Sequence, residues 1–320
     1  MAEDIQSNTA LQATLAELED QRKIISRLKT KSYLLILVGI VCAAAGVYFG
    51  VPIVATAIAG GLGLIAGFYF LNKAGQLFNE YRHAFKQRVI SAALKSIDQS
   101  MDIDYQSGMS ENDFVYSQLF TNRPDRYSSQ DQIYGAAGKT KFSFSEVHAE
   151  YKTVTQTKNG KQEHWHTILK GIVFCADFNK HFNGTTVVRP KDMGSALGAW
   201  ISEKMPLFSS GSDVVKLESP VFDKKFITYS TDQVEARYIL TPSMMERLCN
   251  LDDSSHYSIS VSFIGSYVYI AFPLDKDYFE PPVFKSLLDQ KSLMEDLEII
   301  RFMYGIIAEL DLNTRIWTKQ

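Results

Sequence analysis

The chain has 320 residues, of which 46% are apolar and 22% are charged, and its formal net charge at pH 7 is −3. This composition is ordinary for a chain with a packed core, and the absence of a basic excess argues against a nucleic-acid partner. Its three cysteines, Cys42, Cys175 and Cys249, show neither a CxxC motif nor the spacing of zinc ligands. We therefore expect reduced, buried thiols rather than a disulfide framework.

The polar segment at residues 1–31 predicts one amphipathic cytoplasmic helix that runs toward a membrane. Thr9 followed three residues later by Gln12 has the spacing of a capping box. Five apolar residues then recur near helical spacing: Leu11, Leu15, Leu18, Ile25 and Leu28. This helix either packs on its own domain or pairs with a second copy as a short coiled coil, which leaves a homo-oligomer open.

Residues 32–72, between Lys31 and Lys73, contain no charged side chain and predict a transmembrane hairpin that has the lipid bilayer as its partner. As one helix this stretch would be roughly 60 Å long, twice the ~30 Å hydrocarbon core. Gly50-Val51-Pro52 supplies a break, which gives spans at about 33–49 and 53–71. The alternative is a buried helical hairpin of a soluble protein.

Basic residues flank the apolar stretch on both sides and set the predicted orientation. Five precede it (Arg22, Lys23, Arg27, Lys29 and Lys31), and four follow it (Lys73, Arg82, Lys86 and Arg88). The positive-inside rule places both flanks, and hence both termini, in the cytoplasm. The polar segment ahead of the first span argues against a cleaved signal peptide.

Residues 73–101 predict a juxtamembrane helix, because apolar side chains recur at intervals of three and four residues. They are Phe78, Tyr81, Phe85, Val89 and Ala92. This spacing is typical of an amphipathic helix that continues out of the second span.

Residues 102–320 predict a cytoplasmic domain built on an antiparallel sheet. Turn signals at Asn159-Gly160, Asn183-Gly184 and Gly265-Ser266 each separate two apolar or alternating runs. The predicted hairpins join 151–158 to 161–174, 175–182 to 185–189, and 257–263 to 267–272. Further strands are predicted at Val214–Leu217, Phe226–Tyr229 and Val234–Leu240.

Three helices complete the predicted domain. They lie at Asp192–Met205, from Pro242 behind the N-cap Thr241 to about Leu251, and at Phe284–Leu310, whose broad apolar face should cover the sheet. The predicted fold class is therefore α+β: a two-helix transmembrane hairpin followed by a mainly antiparallel β-sheet cytoplasmic domain with a long C-terminal helix.

Several stretches of the soluble half resemble an uncharacterised bacterial membrane-protein family, catalogued as domain of unknown function 3137. The stretches are 125–127 with 131–135, Lys170-Gly171-Ile172-Val173-Phe174, 177–180, 217–222, 229–242 and 310–319, within a resemblance that runs from about Arg82 to the end. The resemblance implies two membrane helices ahead of this domain and a bacterial inner (cell) membrane location. It implies no activity, catalytic residue or cofactor.

Three groups of residues are candidate sites. His164 and His166 lie two apart on a predicted strand, so both imidazoles should share one face and are candidate metal ligands. A metal site would need a third ligand from elsewhere in the chain, and an exposed polar face after the hairpin turn is the simpler explanation. Asp232, Glu235 and Arg237 form a dense charged group, in which Glu235 and Arg237 share one face of a predicted strand. The group is either a structural pair or a recognition surface for a partner. Trp317 is either a docking anchor or a residue that packs at a helix end.

No nucleophile elbow, Walker A motif or dinucleotide-binding glycine motif indicates an enzyme. The leading hypothesis is a membrane-anchored cytoplasmic interaction protein, a scaffold or adaptor with an unknown protein partner. The alternative is a lipid- or small-ligand-binding domain at the inner-membrane surface, and the third is a metal-dependent enzyme.

Overall fold

The computed structural model describes residues 9–157, 160–191, 213–255, 258–274, 276–289 and 291–312. The chain divides into two compact units. One contains the described residues of Met1–Ala93 and Phe279–Asp296, and the other contains those of Leu94–Tyr278 and Leu297–Gln320. Element labels below number the described elements in chain order.

Two long helices, α1 (Thr9–Tyr48) and α2 (Ile53–Phe85), form the body of the first unit. The chain reverses between them at Gly50, where φ is +69°, and Pro52 precedes α2, so the predicted break is confirmed. Each helix continues from its apolar part into its polar part. Both are long and apolar enough to cross a membrane, which indicates that the protein associates with one.

Glycines let the two helices approach closely along their apolar parts. A Cβ atom added at Gly63 would lie 2.8 Å from the Cα atom of Gly39, and one added at Gly67 would lie 2.5 Å from Cγ1 of Ile36. The hydroxyl of Ser32 donates to the carbonyl of Gly67 at 2.7 Å. Small residues at a helix interface in lipid allow this backbone proximity.

A connecting segment, residues 279–289, which we call the strap, packs on the polar parts of the same helices. Arg22 donates to the carbonyl of Val283 at 2.7 Å, and Glu19 accepts from the amide of Leu287 at 2.9 Å. The ammonium of Lys86 lies 2.7 Å from Glu280. Lys86 begins a π-helical turn, Lys86–Ile90, which is followed by α3 (Ser91–Ile97).

The second unit contains a nine-stranded sheet formed by the described strands. They are β1 (Asp102–Asp104), β2 (Arg126–Ala137), β3 (Thr140–Thr157), β4 (Gly160–Asp177), β5 (Thr186–Pro190), β6 (Asp213–Val215), β7 (Phe226–Ser230), β8 (Ser260–Ile264) and β9 (Tyr267–Pro273). Their order is β1-β2-β3-β4-β9-β8-β5-β7-β6, and each described pairing is antiparallel.

Two of the three predicted hairpins are confirmed. The β3–β4 ladder ends with the pair Thr157–Gly160, at the predicted hairpin. β8 and β9 are joined at Gly265, where φ is +62°. The hairpin predicted at Asn183-Gly184 is wrong, because β4 pairs with β9 whereas β5 pairs with β7 and β8. Between β4 and β5, Phe178 and Phe182 are buried and pack edge-on against Phe263.

The described helices of this domain are α4 (Glu111–Tyr116), α5 (Pro220–Lys225), α6 (Gln233–Ile239), α7 (Pro242–Ser254) and α8 (Lys291–Glu309). The predicted start of α7 is confirmed, since the Thr241 hydroxyl accepts from the amide of Met244 at 3.2 Å. The helix predicted from Phe284 begins later, at Lys291. The strand predicted at Val234–Leu240 is wrong, because α6 occupies it. The helix predicted at Asp192–Met205 lies outside the described residues.

The sheet is covered on both faces by apolar contacts. On one face, Phe302 and Tyr304 of α8 pack edge-on against Phe272 and Phe142, with ring centroids 5.4 and 5.9 Å apart. On the other face, Phe114 of α4 joins a buried cluster of strand residues. The predicted covering of the sheet by the C-terminal helix is confirmed, and the α+β class with it.

Candidate functional site

β3 and β4 extend beyond the rest of the sheet as a two-stranded ribbon, Tyr151–Thr157 paired with Gly160–His166. β2 pairs with β3 only as far as Glu150, and β9 pairs with β4 only from Gly171. Residues 160–167 are therefore all exposed. At ~3.3 Å per residue, the ribbon is roughly 20 Å long.

One face of the ribbon carries charged side chains around a tryptophan. The Arg126 guanidinium lies 3.9 Å from the Trp165 ring centroid, and the Lys152 ammonium lies 5.6 Å from it. Arg126 also pairs with Glu150 at 2.8 Å, and Lys152 with Glu163 at 3.1 Å. These contacts fix a half-exposed aromatic ring between two cations, an arrangement stabilised by cation–π attraction.

The opposite face carries the two candidate histidines. The register pairs Thr153 with His164 and Tyr151 with His166, so both imidazoles share a face that Glu163 does not, as the strand period predicted. The His166 ring stacks on Tyr151 at 4.8 Å and lies 2.9 Å from the Thr153 hydroxyl. In the part of the chain that the structure describes, no group of three His, Cys, Asp or Glu side chains could hold a metal ion.

The hydrogen-bond pattern of the ribbon follows from one contact outside its ladder. The amide of Lys152 donates to Asp125 Oδ2 at 2.7 Å, so it points away from β4. Lys152 and its register partner Trp165 are therefore a non-hydrogen-bonded pair of the antiparallel ladder.

Because such pairs alternate, the pairs Val154–Glu163 and Gln156–Lys161 are also non-hydrogen-bonded. Their N–H and C=O groups point to the outer edges of the ribbon. On β4, the outward groups of Lys161, Glu163 and Trp165 form what we call the open β4 edge. No described strand pairs with this edge.

A polar cleft, which we call the Glu146 cleft, lies on the sheet beside the base of the ribbon. Its volume is about 200 Å³. It is lined by side chains of three neighbouring strands and of the residues after β9: Ser128, Gln130, Glu146, His148, Lys170, Leu274, Lys276 and Asp277. Lys170 and Asp277 pair at 3.1 Å.

The Glu146 carboxyl is the most perturbed acid of the cleft. Burial raises its pKa to about 8, and the negative charges of Asp131 and Asp277 act in the same direction. The amide of Tyr278 donates to Glu146 and opposes this shift. At neutral pH the carboxyl is therefore mostly protonated and can donate a hydrogen bond.

The charged group predicted on a strand lies on α6 instead. Asp232 is the N-cap, and its carboxylate accepts from the amides of Val234 and Glu235, both at 2.9 Å. Glu235 is buried and accepts from the amide of Gly184 at 2.8 Å. Arg237 is exposed and donates to the carbonyl of Gln233 at 3.0 Å. These contacts favour the structural interpretation of Asp232 and Glu235 and leave Arg237 on the surface.

The remaining candidates contribute little to a site. Trp317 lies outside the described residues. Cys42, Cys175 and Cys249 are free thiols, of which Cys249 is buried and Cys175 partly buried. Burial raises the pKa of Cys175 to about 12 and also raises that of Cys249, which disfavours the nucleophilic thiolate.

Sequence reasoning missed the length of the ribbon and the whole Glu146 cleft. The polar run at residues 160–167 indicates an exposed strand. The length of the ribbon, however, depends on where β2 and β9 end, and the sequences of β3 and β4 do not determine this. The cleft combines residues from four separate segments, and only the Lys170-Gly171 motif drew attention to one of them.

By its fold, this chain is an α+β protein whose sheet domain follows two candidate membrane-spanning helices. Residues 167–312 match the model of a family described as protein of unknown function (DUF3137), which confirms the resemblance for that part of the chain. The stretches at 125–127 and 131–135 lie outside the match, and the stretch at 310–319 extends beyond its end.

No curated protein matches this chain. Among solved structures, the crystal structure of the mycobacterial trehalose monomycolate transport factor A, TtfA, is similar with 13% sequence identity and a TM-score of 0.36. The similarity covers 69% of this chain and 93% of that one. At this level nothing about that protein is transferred to this chain.

Proposed function

We propose that this protein is a membrane-anchored interaction protein, a scaffold or adaptor, that binds an extended segment of a partner protein as an added strand on the open β4 edge. Its place is the bacterial inner membrane, with both termini and the soluble domain in the cytoplasm. The two candidate membrane helices and their basic flanks support this location.

One observation carries the proposal: the outward N–H and C=O groups of Lys161, Glu163 and Trp165 have no described strand beside them. Exposed edges of this kind are templates for strand addition, in which backbone hydrogen bonds give affinity and alternate side chains give specificity. The opposite edge of the ribbon is less accessible, since Asp125 already binds the amide of Lys152.

The side chains beside the edge indicate what kind of segment fits. One face of an added strand would lie beside the Trp165 ring and its cations, and the other beside the imidazoles of His164 and His166. We expect a partner segment with alternating character, which has an aromatic or acidic side chain on the first face and small polar side chains on the second.

The test compares two proline variants of the full-length protein after crosslinking in cells. Glu163→Pro removes an outward N–H from the β4 edge without removing a β3–β4 hydrogen bond. Val154→Pro, at the register partner of Glu163, does the same on the β3 edge. We expect the crosslinked partner to be lost in Glu163→Pro and retained in Val154→Pro. Equal retention or equal loss of the crosslinked partner in both variants would contradict strand addition at the open β4 edge. Crosslinking only to a second copy of this chain would also contradict it.

A second candidate function, the binding of a small ligand near the membrane surface, is favoured by the Glu146 cleft. The proline variants leave this cleft intact, so the two functions are tested separately.

A further inference from the structure

We propose that the Glu146 cleft binds a small tetrahedral oxyanion of the phosphate class, either as a free ion or as the head group of a larger molecule. This site is independent of strand addition at the open β4 edge.

Two lysines supply the positive charge of the cleft. Lys170 and Lys276 both line it, one on β4 and the other after β9. The Asp277 carboxylate that pairs with Lys170 at 3.1 Å has a side chain that is 60% exposed, and Lys170 is 41% exposed. An ion pair with this much solvent contact is weak, so an entering dianion can replace Asp277 as the partner of Lys170.

Other side chains of the cleft are also hydrogen-bond donors. Ser128 contributes a hydroxyl, Gln130 an amide and His148 an imidazole, and the protonated Glu146 carboxyl contributes an O–H. The register places Ser128 opposite His148 and Gln130 opposite Glu146, so these side chains stand in two adjacent rows on one sheet face. Tetrahedral oxyanions accept hydrogen bonds on every oxygen, and this convergence of donors fits them.

The volume of the cleft limits the size of the ligand that it can hold. A volume of about 200 Å³ is below the range of ~300–1,000 Å³ that holds drug-sized ligands. The cleft therefore suits an inorganic ion or a short phosphomonoester and is too small for a whole nucleotide.

Binding should depend on the protonation of Glu146, because an ionised carboxylate would repel the anion. Burial raises the pKa of Glu146 to about 8, with Asp131 and Asp277 raising it further and the Tyr278 amide and Gln130 lowering it. The protonated form that binds is abundant below this pKa and is lost as the pH rises through it. If only that form binds, affinity falls by about 20-fold between pH 7.5 and 9.5.

The experiment is a calorimetric titration of the full-length protein, in a detergent without phosphate groups, with inorganic phosphate and with sulfate. Sulfate does not titrate over this pH range, so its pH profile reports on the protein alone. We expect saturable binding of both ions that Lys170→Met weakens at least tenfold. Lys139→Met, at an exposed lysine between β2 and β3 that does not line the cleft, is the matched control and should bind like the wild type.

The variant Glu146→Gln keeps a donor but cannot ionise, so sulfate binding to it should stay nearly constant from pH 7.5 to 9.5. Absence of saturable binding, an equal loss in Lys139→Met, or an unchanged pH dependence in Glu146→Gln would each overturn the proposal. Thermal melting of each variant identifies any that is unfolded. A short-chain phosphatidate that binds at least tenfold more tightly than inorganic phosphate identifies a lipid head group, and equal affinity identifies a free ion; either source supports the site.

Discussion

Gly171 shows how a single residue positions the base of the ribbon. A Cβ atom added there would lie 2.0 Å from the carbonyl oxygen of Phe272 and 2.9 Å from the amide nitrogen of Leu274. Gly171 is also the first β4 residue that pairs with β9, opposite Pro273. The Lys170-Gly171 motif in the resemblance region thus has a steric reason for its glycine, and its lysine lines the Glu146 cleft.

We predict that Gly171→Ala destabilises the protein by about 2–4 kcal/mol, because β9 must move away from β4 to admit the methyl group. Thermal melting of the detergent-solubilised protein measures this effect. Gly305→Ala, in α8, is the control: its Cβ would meet nothing within 4 Å. That variant should be more stable than the wild type by about 0.5–1 kcal/mol, as alanine is favoured inside a helix. Equal melting temperatures for the two variants would refute the steric account.

At the scale of elements, the hairpin of α1 and α2 depends on the glycine face described above. We predict that Gly63→Leu separates the helices, because its side chain would occupy the space of Gly39. A Cβ at the neighbouring Gly61 meets nothing within 4 Å, so Gly61→Leu should be tolerated. The two variants are compared by thermal melting in detergent. A loss of several degrees is expected only for Gly63→Leu; the same loss for Gly61→Leu would contradict this packing.

The strap depends on a buried ion pair. Glu19 and Arg22 pair at 2.8 Å, and the hydrogen bond from Arg22 lowers the pKa of Glu19 to about 2. The stabilisation from this carboxylate is therefore fully present above its ordinary pKa of 4.5 and is lost progressively as the pH falls from there to about 2. Both side chains also bind the strap backbone, at Leu287 and Val283.

We predict that Arg22→Met frees the strap, because it removes the bond to Val283 and leaves the Glu19 charge buried without its cation. Breaking a buried pair in this way costs about 3–5 kcal/mol. Peptide-level hydrogen exchange should become faster over residues 283–287. Lys23→Met, which removes only an exposed pair with Asp20, should leave exchange there unchanged. No acceleration in Arg22→Met would show that the strap is held by other contacts.

The sequence predicts those turns and helix starts that depend only on contacts between neighbouring residues. The turn at Gly265 and the Thr241-Pro242 helix start were predicted, since each depends on neighbouring residues. The strand predicted at Val234–Leu240 is wrong because Asp232 is an N-cap, whose carboxylate accepts from the amides of Val234 and Glu235 and so starts a helix there. The pairing of β5 could not be predicted in the same way. β5 follows β4 in the chain but pairs with β7 and β8, which come much later in the sequence.

The same distinction holds for the candidate site. The shared face of His164 and His166 followed from the strand period alone. The open β4 edge and the Glu146 cleft depend on where β2, β9 and the residues after β9 lie in space. These are long-range relations that one sequence does not encode in any short pattern.

At the scale of the whole molecule, the first unit has the surface expected of a membrane anchor. Large apolar side chains in the apolar parts of α1 and α2 are exposed, among them Val47 at 72%, Ile53 at 80% and Ile65 at 70%. Such surface is unfavourable in water and favourable in lipid. The second unit has a packed apolar core, and its exposed ribbon carries the open β4 edge at which we propose strand addition.

Residue-resolved amide hydrogen exchange along β4 tests the central claim most directly. We predict that, in the free full-length protein, the amides of Lys161, Glu163 and Trp165 exchange faster than those of Gln162 and His164, which bond to β3. In the partner complex isolated after crosslinking, the three fast amides should become slow. Protection of those three amides in the free protein, or no change in the complex, would contradict strand addition at the open β4 edge.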